Sequence, residues 1–197
     1  METELRPYPL ISAAITQRDL QRTSELFEMF PDAAALKIPS FGTWMHYAAA
    51  FGNVEIVKYL MVSGLDINSS ENRDGRMPLD YASSNNNIEV VKYIIDQGCK
   101  FDTSTSVRNP LFAAIIGGSE KIVSMLLAAG IDTSKRYVIG SEYNQPLDAV
   151  AFAMLQGQRG IARLIALRNS SGDEVIAEAI MLEGLNLAIA ITTKSNQ

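Results

Sequence analysis

Residues 43–64 read TWMHYAAAFGNVEIVKYLMVSG and residues 77–98 read MPLDYASSNNNIEVVKYIIDQG, one pattern written twice, with Thr43 matching Met77, Val57 matching Val91 and Gly64 matching Gly98. A period of roughly 33 residues restricts the fold more than composition does, because each copy must be one small building block that hides its apolar face only against its neighbours. A third copy follows at nearly the same interval, 109 − 77 = 32 residues on against 77 − 43 = 34, from Asn109-Pro110-Leu111-Phe112 through Ile122-Val123 to Gly130. A fourth starts at Gln145-Pro146-Leu147-Asp148. Backwards, Tyr8-Pro9-Leu10-Ile11 lies one period before the first full copy, and Leu26-Phe27 one period before Leu60-Met61, which makes five units.

The chemistry of each position predicts a helix pair. Pro9, Pro78, Pro110 and Pro146 suit a first helical turn, where no amide donor is needed. Small residues at Ala48-Ala49, Ala82-Ser83 and Ala114 allow close packing of the first helix. Ile56, Val57 and Leu60 give the second a buried stripe. Gly52 and Gly118, with Asn86 in the equivalent turn, end the first helix, and Gly64, Gly98 and Gly130 close the second. In the fourth copy Ile161 stands further from Leu147 than Ile122 stands from Leu111, so a longer first helix or inner turn is expected there. The degenerate first unit and a final helix from Asp173 read as caps. Ser171 and Glu174 have the spacing of a capping box, and Ile176, Ile180, Leu187 and Ile191 are expected to dock that helix on the last repeat.

A T-P-L-H-x-A core at this period resembles the ankyrin repeat, and the resemblance spans roughly Thr3 to Arg168. It implies an all-α solenoid of five stacked helix-turn-helix units with a C-terminal capping helix. The expected organisation is a single domain, 1–197, with a capping repeat at 3–38, repeats at 39–72, 73–104 and 105–140, a divergent repeat at 141–169, and the cap helix and tail at 170–197. Trp44 stands where the family has proline, and Ile11, Asp80, Phe112 and Asp148 where it has histidine. For His46 the resemblance implies a hydrogen bond to Thr43 and nearby backbone, a structural role.

Chemistry is poorly provided for. The lone histidine offers no dyad and the lone Cys99 no disulfide and no multi-cysteine metal set. Asp80 and Asp148, two repeats apart, are expected ~20 Å from each other, too far for an acid/base pair. Catalytic residues, cofactor and metal are all expected to be none. Arg159, Arg163 and Arg168 read as a solvated helix face, with an anion-contacting patch as the alternative. A net charge of −5 opposes nucleic-acid binding and favours a basic partner protein. The N-terminus lacks signal-peptide character, and Glu178, Glu183 and Asn186 interrupt the apolar stretch from Val175 to Ile191, so no membrane span is expected and the cytoplasm is the expected setting.

By resemblance, binding falls on a concave face made of first helices and turns. The positions exposed there would be Ala50-Phe51, Ser84-Asn85, Ile116-Gly117 and Phe152-Ala153. Phe51, Ile116 and Phe152 would be apolar contacts, unless a cap helix or long turn covers them. Arg73, Asp74, Arg76, Arg108, Glu142 and Asn144 would form a polar rim, with Asn85 beside it and Tyr137 and Tyr143 as aromatic anchors. The expected function is a non-catalytic protein-binding module. A small acidic ankyrin protein resembles bacterial cytoplasmic proteins that neutralise a cognate toxin; the alternative is an adaptor or regulator that recruits another cellular or host protein.

Overall fold

Residues 7–139 and 145–194 are described by a computed structural model, and within them every regular element is helical. The chain divides into two compact units, Met1–Lys100 and Phe101–Gln197.

Unit 1 holds α1 (Pro7–Thr16) with α2 (Leu20–Met29), α3 (Trp44–Phe51) with α4 (Val54–Val62), and α5 (Pro78–Ser84) with α6 (Ile88–Asp96). First helices pack on first helices, α1 on α3 on α5, and second helices follow, α2 on α4 on α6. The apolar stripes read from the sequence meet between them: Ile11, Leu26, Met45, Ile56, Val57, Leu60, Leu79, Val91 and Ile94 are fully or almost fully buried. Full burial of each large aliphatic chain contributes ~1.5–3 kcal/mol, which is how pairs too short to stand alone become stable. Two asparagines in the same repeat position lock the stack. Asn53 Nδ2 donates to Arg18 O (3.3 Å) and Asn87 Nδ2 to Ala49 O and Ala50 O (2.8 and 2.6 Å), each tying the start of a second helix to the end of the preceding unit's first helix. Asn86 takes the left-handed conformation (φ 56°) expected at that turn. Gly42 (φ 100°) is where successive turns touch, since a Cβ there would lie 2.3 Å from Glu71 O.

Unit 2 holds α7 (Pro110–Ile116) with α8 (Glu120–Ala128), α9 (Ala149–Leu155) with α10 (Arg159–Asn169), and α11 (Glu174–Lys194). Here α7 packs on α9, α8 on α10, and α11 closes the row against α9 and α10. The all-α helix-pair architecture is therefore what the chain adopts, with three details different from expectation.

The first concerns the fourth copy. Pro146 does not start a helix; Leu147 instead forms an isolated antiparallel bridge with Tyr137, and Asp148 caps α9 by accepting from Ala151 N–H (2.9 Å). The interval from Ala149 to Arg159, first helix start to second, equals those from Trp44 to Val54, Pro78 to Ile88 and Pro110 to Glu120. The extra residues therefore sit in the turn before α9. Helix spacing is set by packing on the neighbouring pair, so an insertion is better tolerated in a connection between repeats than within a helix pair. Asp148 consequently occupies the Thr43 position, and Ala151 the histidine position.

The second concerns α11. Ser171 has φ 55°, whereas a capping residue needs extended backbone, so the Ser171–Glu174 box does not form. Asp173 caps instead, accepting from Ile176 N–H (3.0 Å), and Glu174 clasps Arg163 Nη2 with both oxygens (2.6 and 2.7 Å). Ile176 is 51% exposed; the docked stripe is Ala177, Met181, Gly184, Ala188 and Ile191, one residue further round. A Cβ on Gly184 would lie 3.2 Å from Ala151 N and from Val150 Cγ1, so the missing side chain lets α11 settle against the α9 backbone.

The third is that α11 is long and apolar enough by length and composition to cross a membrane, although Glu178, Glu183 and Asn186 interrupt it.

Candidate protein-binding surface

The position that carries His46 shows how each first helix is tied to its turns. Thr43 caps α3, and its N–H and hydroxyl both lie on His46 Nδ1 (3.2 and 2.8 Å). Nδ1 is the acceptor of the Thr43 N–H, so the ring proton is on Nε2, which donates towards Ser69 O (2.9 Å) and Arg76 O (3.0 Å). Burial holds the ring's pKa below its ordinary value, which suits this neutral tautomer. His46 is thus a staple from helix start to following turn. Its neighbour Trp44 is fully buried, donating Nε1–H to Ala33 O (2.8 Å) and lying edge-on to Phe27.

Around that staple unit 1 gathers four rings. Phe41, in the turn before α3, stands 5.1 Å from Tyr47, 5.3 Å from Phe51 and 5.2 Å from Tyr81, and Tyr47 stands 5.0 Å from Phe51. These separations are those of attractive edge-on or tilted aromatic pairs. Phe51 keeps 36% of its surface in water, Phe41 and Tyr47 are half-buried, and Tyr81 is buried. Arg76 lies over the Tyr81 ring, 4.1 Å from its centre, and donates to Asp80 O and Ser84 Oγ. Tyr81 OH donates to Ser40 O (3.1 Å). Beside the rings a shallow groove of about 600 Å³ runs between successive turns, lined by Lys37, Ile38, Ser40, Gly42, Glu71, Asn72 and Arg73.

The turn that carries Arg73, Asp74 and Arg76 is pre-shaped by Asn72, whose Oδ1 accepts from Asp74 N–H and Arg76 N–H and whose Nδ2 donates to Arg76 O. Arg73 and Asp74 are exposed on it. Asn85, also exposed, donates to Tyr81 O (2.9 Å). Phe51, Arg73, Asp74, Arg76 and Asn85 therefore all fall in unit 1, on α3, at the end of α5 or on the turn between repeats. Sequence reasoning missed Phe41, Tyr47 and Tyr81. The signal was present for two of them, because Tyr47 and Tyr81 hold the same repeat position, directly after His46 and Asp80.

Unit 2 receives the other expected contacts, and of those described Phe152 is buried while Arg108 and Tyr137 are half-buried. Phe152 is 4% exposed and stacks on Phe112, with ring centres 5.0 Å apart and planes at 16°. Its assignment to an exposed position followed from matching Leu147, rather than Val150, to Leu111; in the observed register Leu155-Gln156 occupy the equivalent place. Ala50 and Ala153 are also buried. Tyr137 is a structural tyrosine, donating to Thr103 O, accepting from Asn109 Nδ2 (3.1 Å) and lying edge-on to Phe112. Arg108 is half-buried and pairs with Asp102 (3.7 Å). Ile116 is 64% exposed, as expected. Glu142, Tyr143 and Asn144 lie outside the described residues.

A family model for ankyrin repeats, in 3 copies, matches residues 45–137. No curated protein matches the chain.

Proposed function

Proceeding from a chain whose residues 45–137 are ankyrin repeats, repeats that mediate binding to other proteins, we propose that it is a non-catalytic docking module whose contact face is the aromatic cluster of unit 1. The observation that carries this reading is the four-ring cluster centred on Phe41, left open to water at the Phe51 edge and flanked by the pre-shaped Arg73–Arg76 turn. Rigid rings with an arginine stacked among them are the side chains that dominate protein contact energies, because they bury much area and lose little freedom. The net charge of −5 favours a partner with a basic contact surface.

Within that class the proposed role is immunity, in which the chain neutralises a cognate toxin by covering a surface the toxin needs. The proposed setting is the cytoplasm, where Cys99, its thiol pushed up to about 11 by burial, stays an inert packing residue. Co-expression with the product of the adjacent gene tests the reading. Growth is expected to be restored by the native chain and lost with Phe51→Asp, the variant giving up some ring packing but remaining folded by circular dichroism while its affinity falls ~30-fold or more. Tight binding without rescue would assign the adaptor role instead; unchanged binding by Phe51→Asp would remove this face from consideration.

A further inference from the structure

The cap helix α11 has two apolar stripes, and unit 2 uses only one. Opposite the docked stripe, Val175, Ala179, Leu182, Asn186, Ile189 and Thr193 recur at alternating steps of four and three, the spacing of a coiled-coil seam, and every one is exposed. Val175 is 81% exposed and Leu182 59%. Nothing in the packing of α11 on α9 and α10 calls for apolar residues there.

The geometry points to a second copy of this chain as the occupant, with the two α11 helices antiparallel about a two-fold axis level with Gly184. The order of steps is the same read in either direction, so one antiparallel register gives all six positions a partner: Val175 with Thr193, Ala179 with Ile189, and Leu182 with Asn186. A two-fold interface demands this self-complementarity. Charge and dipole select the direction. Parallel helices would set Glu178 of each copy against Glu183 of the other, a like-charge contact on both flanks of the seam. Antiparallel helices leave one such contact, Glu183 with its own counterpart near the axis, and oppose the two helix dipoles favourably. A helix of 21 residues is ~32 Å long and such a pair buries on the order of 1,000 Å² in total, the lower bound for a specific contact and enough for a reversible dimer. Asn186 beside Leu182 weakens the seam and fixes its register. Insertion of α11 into a lipid bilayer is disfavoured by the same structure, because it would strip the helix from α9, where Gly184 packs against backbone, and carry Glu178 and Glu183 with it.

Sedimentation equilibrium on the full chain tests this. A monomer–dimer equilibrium in the micromolar range is expected, with Leu182→Glu raising the dimer Kd at least about ten-fold and Asn186→Leu lowering it by a similar factor. Both positions are exposed, so the unfolding midpoint should stay native when measured well below the dimer Kd. Glu183→Gln should tighten the dimer and Glu178→Gln should not. Direction is also read in a Cys99→Ser background: Ala179→Cys together with Ile189→Cys should form intermolecular disulfides on mild oxidation, and Ala179→Cys alone should not. A chain still monomeric at about 500 µM, or a dimer indifferent to Leu182→Glu, overturns the proposal. Cross-linking by Ala179→Cys alone, or equal tightening by the two glutamine variants, overturns the antiparallel arrangement. Monomeric chain that binds phosphatidylcholine–phosphatidylglycerol vesicles through Leu182 would assign the stripe to lipid.

Discussion

The two units solve one problem from opposite ends. At the third residue of the first helix, α3 and α5 of unit 1 have the polar His46 and Asp80, whereas α7 and α9 of unit 2 have the apolar Phe112 and Ala151. In unit 1 His46 reaches out to the following turn, donating to the carbonyls of Ser69 and Arg76, while Asp80 caps its own helix start, its Oδ2 accepting from Met77 N–H (2.7 Å). In unit 2 the turn reaches back to the helix: Tyr137 bonds to Thr103 and Asn109 while its ring and that of Phe152 close on Phe112. The repeat needs its turn anchored to the helix start; a buried hydrogen-bond staple and an aromatic stack are interchangeable means of doing so. The difference also separates roles. Hydrogen bonds at the helix start leave the rings of unit 1 free to gather at the surface around Phe41, while unit 2 spends its rings inside.

The largest effect is expected from Phe112→Ala, which removes the centre of the unit 2 stack and should cost ~3–5 kcal/mol. Amide exchange should then show protection lost first within 101–194 and retained longer in unit 1; equal loss in both would break the contrast. His46→Phe transplants the unit 2 solution into unit 1. It takes the donor from two turn carbonyls and the acceptor from Thr43, so a loss of ~2–3 kcal/mol is expected by denaturant titration, and a neutral result would mean the staple is dispensable. Gly184→Leu, forcing α11 off the α9 backbone, should cost ~1–3 kcal/mol, read in the same titration.

A smaller and more selective test uses pH. His46 is the only histidine, and burial keeps its pKa in the fold below the ordinary 6.5. As pH falls below 6.5 the unfolded chain takes up the proton first, so stability drops, by at most ~1.4 kcal/mol per unit, until the folded ring protonates too. Exchange measured between about pH 7 and 5 should show this in unit 1 and not in unit 2, and His46→Gln should abolish it. The smallest change is expected from Arg163→Ala. Its pair with Glu174 is bidentate but roughly half exposed on both sides, so the loss should stay below ~1 kcal/mol and shrink in salt.

Much of this was readable beforehand. The period gave the helix pairs and their turns, because those depend on local residue chemistry repeated at fixed spacing, and the family resemblance implied the structural role of His46. The fourth copy shows where reading by motif fails: the dipeptide Pro146-Leu147 mimics a helix start, yet Ile161 stands to Val150 as Ile122 stands to Leu111, and that pairing carried the correct register. Proline records only what backbone is permitted, while the apolar stripe of the second helix records what must be buried. Phe51 and Ile116 stand exposed where the resemblance put them, and Phe152 was misplaced with its copy. The Phe41 cluster was legible only in the shared repeat position of Tyr47 and Tyr81, since it joins a turn to two repeats and no single repeat contains it.

By itself the sequence determined that short helix pairs recur and bury their stripes on one another, since apolar spacing and turn residues act within each repeat and leave the backbone no cheaper option. Which rings meet, that Asp173 rather than Ser171 caps α11, and which side of that helix faces α9 were decided only in the tertiary structure. Those outcomes depend on distances between repeats, and in a helix with apolar residues on both sides a rotation of about half a turn, roughly two residues, exchanges the buried face for the open one.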